Sequence, residues 1–462
     1  MKKRNIFYLT ITFFTIISAL FFTSCERDPN VLEPADYPVD PEVFIDGFSS
    51  GLNYAAFGGS KVTAFDVVTD VKYKGTRSMR IEVPDFEDPQ GAYAGGAYFT
   101  NVGRNLSGYD ALTFWAKASQ PASIDIVGIG NDLGQSKNLA TISGLAVNTN
   151  WKKYIIPIPD PGRWTAERGM FFYSEGPENN NGYTIWFDEV QFEKLGTIAH
   201  PQHSILNGQD QIITSFVGVS TKIGGLVSVF NLPTGINQTV NVSPAYFNFV
   251  SSNESIATVD EFGNVLVVGG PGNAKITATM GGTEANGSLT VISKGVFEHA
   301  PTPTRDPANV ISIYTEAYPN VPVDYYNGYW APYQTTLSED FAVDGDNILN
   351  YTNFNFVGIQ FTSPTVNATT MTHLHVDIFI PNTISANAQF KIEMVDFGSG
   401  GNVTGAFTTN ILVSQTQQWI SLDIPLSSFT GLTRRNNLAQ IIFVDVNDRI
   451  SSFYADNIYF YK

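Results

Sequence analysis

The sequence predicts an all-β chain built from several sandwich units, and three observations carry that prediction. Aromatic residues make up 13% and charged residues only 15% of the 462 residues, an unusual balance for a soluble helical protein. Forty glycines, with abundant Asn, Thr and Ser, punctuate short runs in which apolar and polar residues alternate. No stretch keeps a helical period for more than two turns. At ~100–200 residues per domain, a chain of this length needs about three cores.

The first element concerns location. Residues 6–22 form one apolar run behind Lys2-Lys3-Arg4 and end at Phe22-Thr23-Ser24-Cys25, the only cysteine in the chain. A basic start, a short apolar stretch and small residues read as an export signal. The 17-residue run falls just below the ~18 expected of a transmembrane helix. The segment resembles the lipobox of bacterial lipoproteins, with Phe22 where Leu is usual. That resemblance implies a signal peptide over 1–24, a lipid on Cys25, and residues 26–462 outside the cytoplasm. An uncleaved anchor with an idle thiol would give the same compartment. With Cys25 capped no disulfide is possible, so stability must come from core burial alone. Residues 25–42, with Pro29, Pro34, Pro38 and Pro41 among acidic side chains, read as a solvated tether.

Charge narrows the partners. The chain carries 26 basic against 43 acidic residues, a net charge of −17, and shows no Lys/Arg cluster beyond its start. This speaks against nucleic acid, anionic lipid surfaces and polyanionic glycans, and leaves neutral partners.

Three units follow. In the first, residues 43–196, strands are expected at 43–48, 77–83, 111–116, 124–129, 154–158 and 185–192, the spacing of a β-sandwich. The second, 204–294, contains Ser251-Ser-Asn-Glu-Ser-Ile-Ala-Thr-Val-Asp260, Gly263-Asn-Val and Gly272-Asn-Ala-Lys-Ile-Thr-Ala-Thr279. It resembles bacterial immunoglobulin-like domains of group 2, which implies a spacer; residues 204–240 match poorly. The third, 305–462, repeats the first. Trp151 stands 37 residues before Asp188, as Trp419 stands 37 before Asp456, and both pairs lie in similar strand sequences.

The closing strands, Trp186-Phe187-Asp188 and Tyr454-Ala455-Asp456, resemble the last strand of jelly-roll carbohydrate-binding modules. In that family an early acidic residue, carbonyls of a Gly-x-x-Ser turn and this late Asp hold a structural Ca²⁺. A hard cation of that kind wants six to eight oxygens. The resemblance implies Asp46, the turn Gly75-Thr-Arg-Ser78 and Asp188 in the first unit, although Gly47-Phe48-Ser49 replaces the usual second acid. In the third unit it implies Glu316 and Asp456. Asp344-Gly-Asp-Asn347 and Asp445-Val-Asn-Asp448 look like calcium loops, but the flanking alternation favours hairpin turns. His373-Leu-His375-Val-Asp377 has a zinc-like spacing, yet only five histidines occur in the chain and no third-ligand motif accompanies it.

The opening of the third unit, Ser312-Ile-Tyr-Thr-Glu-Ala-Tyr318 and Asp324-Tyr-Tyr-Asn-Gly-Tyr-Trp-Ala-Pro-Tyr-Gln334, resembles a sandwich module of β-glucanases and surface glycan-binding lipoproteins of Bacteroidota. The residues point the same way without any family. Tyr325, Tyr326, Tyr329, Trp330 and Tyr333 share one Gly- and Pro-containing loop with Asp324, Asn327 and Gln334. Sugar rings stack their C–H faces on such aromatics and present hydroxyls to amides and carboxylates. Trp330, Tyr329, Tyr333 and Tyr326 are therefore candidate glycan contacts, with Trp164 and Tyr93 as candidates in the first unit. Trp115, Trp151 and Trp419 alternate with strand neighbours as core residues do.

No carboxylate pair in a Glu-x-Asp-x-x-Glu strand, no Gly-x-Ser-x-Gly element and no placed histidine base is evident. The expected function is non-catalytic capture of a neutral polysaccharide at the outer membrane, feeding a glycan transporter. Resemblance to laminarin-locus proteins implies a β-1,3-glucan. An extracellular glycoside hydrolase with unrecognised catalytic residues and a surface adhesion protein are the alternatives.

Overall fold

A computed structural model describes residues 36–343 and 345–462. The expected signal, Cys25 and the tether up to residue 35 lie outside the described residues. Every regular element described is a strand or a short 3₁₀ turn. Among the described residues no helix is long and apolar enough to cross a membrane. The chain is all-β.

It divides into two compact units, one of residues up to 202 with 227–246, the other of 203–226 with 247–462. In the first, one sheet runs Phe65–Val68, Ser78–Val83, Tyr183–Glu193, Ala111–Ala118, Lys152–Pro157, with Glu42–Phe44 also paired to the closing strand. The facing sheet includes, in order, Leu52–Ala56, Ala94–Arg104, Glu167–Glu175, Ala122–Ile129 and Ala140–Val147. Phe114, Phe171 and Phe187 meet between them with ring centroids 5.4–5.8 Å apart, all without exposed surface. Such interlocked rings are the source of stability that a chain without disulfides needs.

The strand Ala94–Arg104 has no counterpart among the expected elements. Its first five residues, Ala94-Gly-Gly-Ala-Tyr98, are buried on both faces and so show no alternation. The tether also ends sooner than expected. Asn105 and Phe192 donate backbone N–H groups to the carbonyls of Pro38 and Pro41. Buried Arg104 donates to the carbonyls of Asp40, Glu42 and Ser50 and to Ser49 Oγ, so one planar guanidinium ties down the chain entry at several points.

The spacer does not stand apart as a separate 204–294 domain. Its hairpin Val227–Asn231/Asn237–Val242 adds to the first unit, where Asn241 and Val242 pair with Thr141 and Ala140. The remainder joins the C-terminal module through a cluster of Phe216, Phe297, Val343, Ile348, Phe379 and Tyr454. Half-buried Trp419 packs on that cluster instead of entering the module core.

The C-terminal module repeats the strand order of the first. One sheet runs Leu337–Val343, Asp346–Thr352, Ser452–Tyr461, His373–Phe379, Trp419–Pro425, with Val310–Tyr314 on the closing strand. The other runs Phe356–Gln360, Leu438–Asp445, Ala388–Asp396, Val403–Ile411. Even the closing strands share a detail, since Glu189 (φ 49°) and Asn457 (φ 50°) both take the left-handed conformation directly after Asp188 and Asp456. A left-handed residue there kinks the strand and lets the preceding carboxylate turn away from the ladder.

Candidate functional site

The four-stranded sheet of the C-terminal module has a core face and an outer face. Val357, Ile359, Ile441, Phe443, Phe390, Ile392 and Met394 point into the core. The alternate residues share the outer face, and the strand registers arrange them in rows. Phe356, Val444, Lys391 and Thr408 form one row; Gly358, Ile442, Glu393 and Ala406 the next; Gln360, Gln440, Val395 and Thr404 the third.

The aromatic loop folds back over the edge of this face. Its start is tied down as a short extra strand, with Asp324 N–H donating to the Gln360 carbonyl and Gln360 N–H to the Tyr325 carbonyl. Trp330 then lies over Gly358, where a Cβ atom would meet its Cη2 at 2.2 Å. Glycine at 358 is what lets an indole lie against the strand backbone. Trp330 Nε1 donates to Tyr325 Oη at 3.2 Å, Tyr325 donates to Gln360 Oε1 at 2.8 Å, and Gln440 Nε2 donates to the same oxygen at 2.7 Å. Asn327 and Gln334 brace the loop from within, Gln334 Nε2 reaching Asn327 Oδ1 and Gln334 Oε1 accepting the Trp330 N–H. A ring held by a chain of satisfied hydrogen bonds is pre-organised, which lowers the ordering cost of binding.

The other expected contacts separate. Tyr329 and Tyr333 are 54% and 79% exposed, and the Tyr329 hydroxyl meets Ser338 Oγ at 2.7 Å. Tyr326 is half-buried, donates to the Ile313 carbonyl and packs edge-on to Tyr314, so it supports the loop from the core side. In the first unit Tyr93 lies over Gly95, on the strand Ala94–Arg104, and its hydroxyl donates to the Gly58 carbonyl.

Trp164 corrects the expectation of a ligand contact. It has no exposed surface, its Nε1 donates to Tyr246 Oη at 2.9 Å, and its ring packs on Phe192. Its loop position suggested exposure, but the partner hydroxyl comes from a residue 82 positions later. Trp115 and Trp151 also depart from expectation, being half-buried on the outer side of their sheet.

The metal candidates divide between the modules. Asp46 Oδ1 accepts the N–H groups of Thr76 and Arg77, and Asp188 accepts those of Tyr73, Lys74 and Glu189. These carboxylates are met by N–H hydrogens, the opposite polarity to a cation site's remaining ligands. In the C-terminal module Glu316, Asp346 and Asp456 bring one oxygen each within 4.8 Å of the others. They line a cavity of about 430 Å³ with His299, Thr302 and Thr315. Burial pushes the Asp456 carboxyl up to about 7, against the Asn457 N–H and helped by the charges of Asp346 and Glu316. Burial and the Asp346 charge also raise Glu316. Asp346 belongs to the segment read as a hairpin turn. It does close the hairpin, opposite Val343, yet its carboxylate also reaches the other two and His299 Nδ1.

His375 is clasped by carboxylates, 2.9 Å from Asp423 and 3.3 Å from Asp377, and stacked on Tyr459. Burial opposes its charged form, but the two carboxylates outweigh that and raise its pKa. An imidazolium with two anions is an ion-pair triad.

A scan against protein-family models finds no match, and a search of the curated proteins finds none. Similar solved structures include the family 11 carbohydrate-binding module from Clostridium thermocellum in complex with a β-1,3-1,4-mixed-linked tetrasaccharide (16% identity, 28% of this chain and 85% of that chain, TM-score 0.23). Another is the N-terminal CBM22-1–CBM22-2 tandem from Paenibacillus barcinonensis Xyn10C (11% identity, 93% and 99%, TM-score 0.21). A third is a family 30 carbohydrate-binding module of a Clostridium thermocellum cellulosomal cellulase (16% identity, 34% and 95%, TM-score 0.23).

Proposed function

We propose that the protein is a non-catalytic binder of a neutral polysaccharide, with β-1,3-glucan as the preferred ligand, and that the outer face of the C-terminal four-stranded sheet is its principal site. The observation that carries this reading is Trp330, held over Gly358 beside the amides of Gln360 and Gln440. A pyranose ring would stack at the indole, Ile442 would extend the apolar floor, and the amides would meet hydroxyls. Tyr329 and Tyr333 would widen the platform. The face carries Glu393, but Lys391 pairs with it at 2.7 Å, an arrangement that suits orientation of hydroxyls better than proton transfer.

In this reading Cys25 carries a lipid that holds the protein at the outer membrane, exposed at the cell surface, where captured glycan passes to a transporter. Its support is the 1–25 sequence pattern. A calcium ion belongs to the same reading. Glu316, Asp346 and Asp456 fit a hard cation, because three carboxylates converge and one of them is buried with a raised pKa. Bound there, the ion would neutralise the acids and tie the early strand end, the hairpin and the closing strand together.

Affinity electrophoresis in gels containing laminarin, xylan, mannan or alginate tests the proposal. Retardation by laminarin supports it; retardation by none of the neutral polymers refutes it, and release of reducing ends would favour the hydrolase.

A further inference from the structure

The six-stranded sheet of the first unit turns a second group of aromatic rings away from the core. Along Ala111–Ala118, Phe114 and Ala116 are fully buried while Trp115 and Lys117 keep exposed surface. Trp186 on the closing strand stands opposite Lys117, whose Nζ lies 5.6 Å from the centre of its ring.

The loop 69–77 crosses this face and is fixed there by the two carboxylates that the sequence assigned to a metal. Asp188, without exposed surface, accepts the Tyr73 and Lys74 N–H groups at 2.7 and 3.1 Å. Asp46 accepts those of Thr76 and Arg77 at 2.6 and 3.0 Å. The result is a parallel stack, the Tyr73 ring 3.7 Å from that of Trp115 at 12°, with Trp151 at 6.1 Å. Tyr73 remains 40% exposed, so one side of the stack faces water. A pre-set exposed aromatic of this kind is the group on which a sugar ring lies.

The charge around it differs from the rest of the chain. Lys72, Lys74, Arg77 and Arg80 fall within nine residues, which corrects the expectation of no basic cluster beyond the start of the chain. Arg80, however, pairs with Asp66 and Glu82, and Arg77 lies beside Asp46. Lys72 and Lys74 flank Tyr73 in sequence; Lys74 is 69% exposed, 3.4 Å from Glu189, and Lys72 Nζ bonds the Thr69 carbonyl. Lys117 adds a further ammonium from the sheet. At physiological ionic strength charges more than about 8 Å apart are largely screened. The chain's distant carboxylates therefore weigh little here. Glu189 offsets Lys74, and Lys72 and Lys117, which have no carboxylate partner among the described residues, are the cations left to a ligand.

We propose that this face is a second saccharide site, distinct from the C-terminal one, and that it takes an acidic polysaccharide. A ring of the ligand stacks on Tyr73 while its carboxylate or sulfate groups pair with Lys72, Lys74 and Lys117. The scattered positions 72–74, 115–117, 151 and 186 hide the site from the sequence, because only the sheet brings them together.

Native gels containing polygalacturonate, dextran sulfate or laminarin, run with the full chain at low and high salt, test the proposal. At least one acidic polymer retards the wild-type protein, polygalacturonate reporting a carboxylate and dextran sulfate a sulfate. Tyr73→Ala weakens that retardation roughly tenfold, and Tyr73→Phe, which keeps the stack and controls for folding, preserves it. Lys72→Ala with Lys74→Ala weakens it and flattens its salt dependence, whereas Trp330→Ala leaves it unchanged. No retardation by either acidic polymer overturns the proposal. So does retardation that Tyr73→Ala leaves intact, which would mark unspecific charge attraction.

Discussion

The indole of Trp330 rests against the backbone of Gly358, so near that a Cβ at 358 would come within 2.2 Å of it. A glycine and a tryptophan 28 residues apart in the chain thus define one surface feature. Gly358→Val keeps the core residues Val357 and Ile359 in place but displaces the ring. Binding to laminarin should fall about as far as with Trp330→Ala, roughly tenfold or more, while the thermal midpoint changes little. Isothermal titration and a melting curve on the same sample check both parts.

Trp164 should behave in the opposite way. It is fully buried and hydrogen-bonded to Tyr246, so Trp164→Ala removes a large core side chain and leaves the Tyr246 hydroxyl without its indole donor. The expected loss is about 3–5 kcal/mol in urea unfolding of the first unit, with laminarin affinity unchanged. Weaker glycan binding by a still-folded variant would return Trp164 to the ligand site.

The Asp456 carboxyl predicts a pH dependence whose sign can be worked out. Its folded pKa of about 7 lies above the ordinary carboxylate value, so the folded protein holds a proton that the unfolded chain releases near pH 4. Without calcium, stability should therefore fall as pH rises from about 4 to 7, by a few kcal/mol at most. Glu175, raised by burial to about 7, and His375, raised by its carboxylates, give slopes of the same sign. Asp456→Asn should remove only its own share. Millimolar calcium should stabilise the wild type at neutral pH and leave the variant nearly unaffected, as read by scanning calorimetry.

Cys25→Ala should separate location from recognition. Membrane fractionation should find the variant missing from the outer membrane, while affinity electrophoresis of the detergent-extracted variant should match the wild type.

Much of this organisation is legible in the sequence for identifiable reasons. The equal spacing of Trp151–Asp188 and Trp419–Asp456 marks strands that occupy the same positions in two sheets of the same order. The cluster Tyr325–Tyr333 marks a loop because glycine and proline interrupt it. What escapes the sequence depends on distant partners or on which face is inside. Alternation reveals that Trp115 and Phe114 point opposite ways, but not that Phe114 is the one facing the core. No alternation marks Ala94–Tyr98, where both faces are covered. Asp346 reads as a turn residue and is one, yet its convergence with Glu316 and Asp456 needs the end of an early strand, a hairpin and the middle of the closing strand to meet. The hairpin 227–242 leaves the spacer because its hydrogen-bond partners, Thr141 and Ala140, lie about a hundred residues upstream.

The central claim is that the Trp330 face captures a neutral β-glucan. Its most direct test is titration of laminarin into the wild-type protein and into Trp330→Ala, with circular dichroism to verify that both are folded. Saturable binding by the wild type, lost in the variant, is the predicted result. Equal binding by the two folded proteins, or no binding by the wild type, would contradict it.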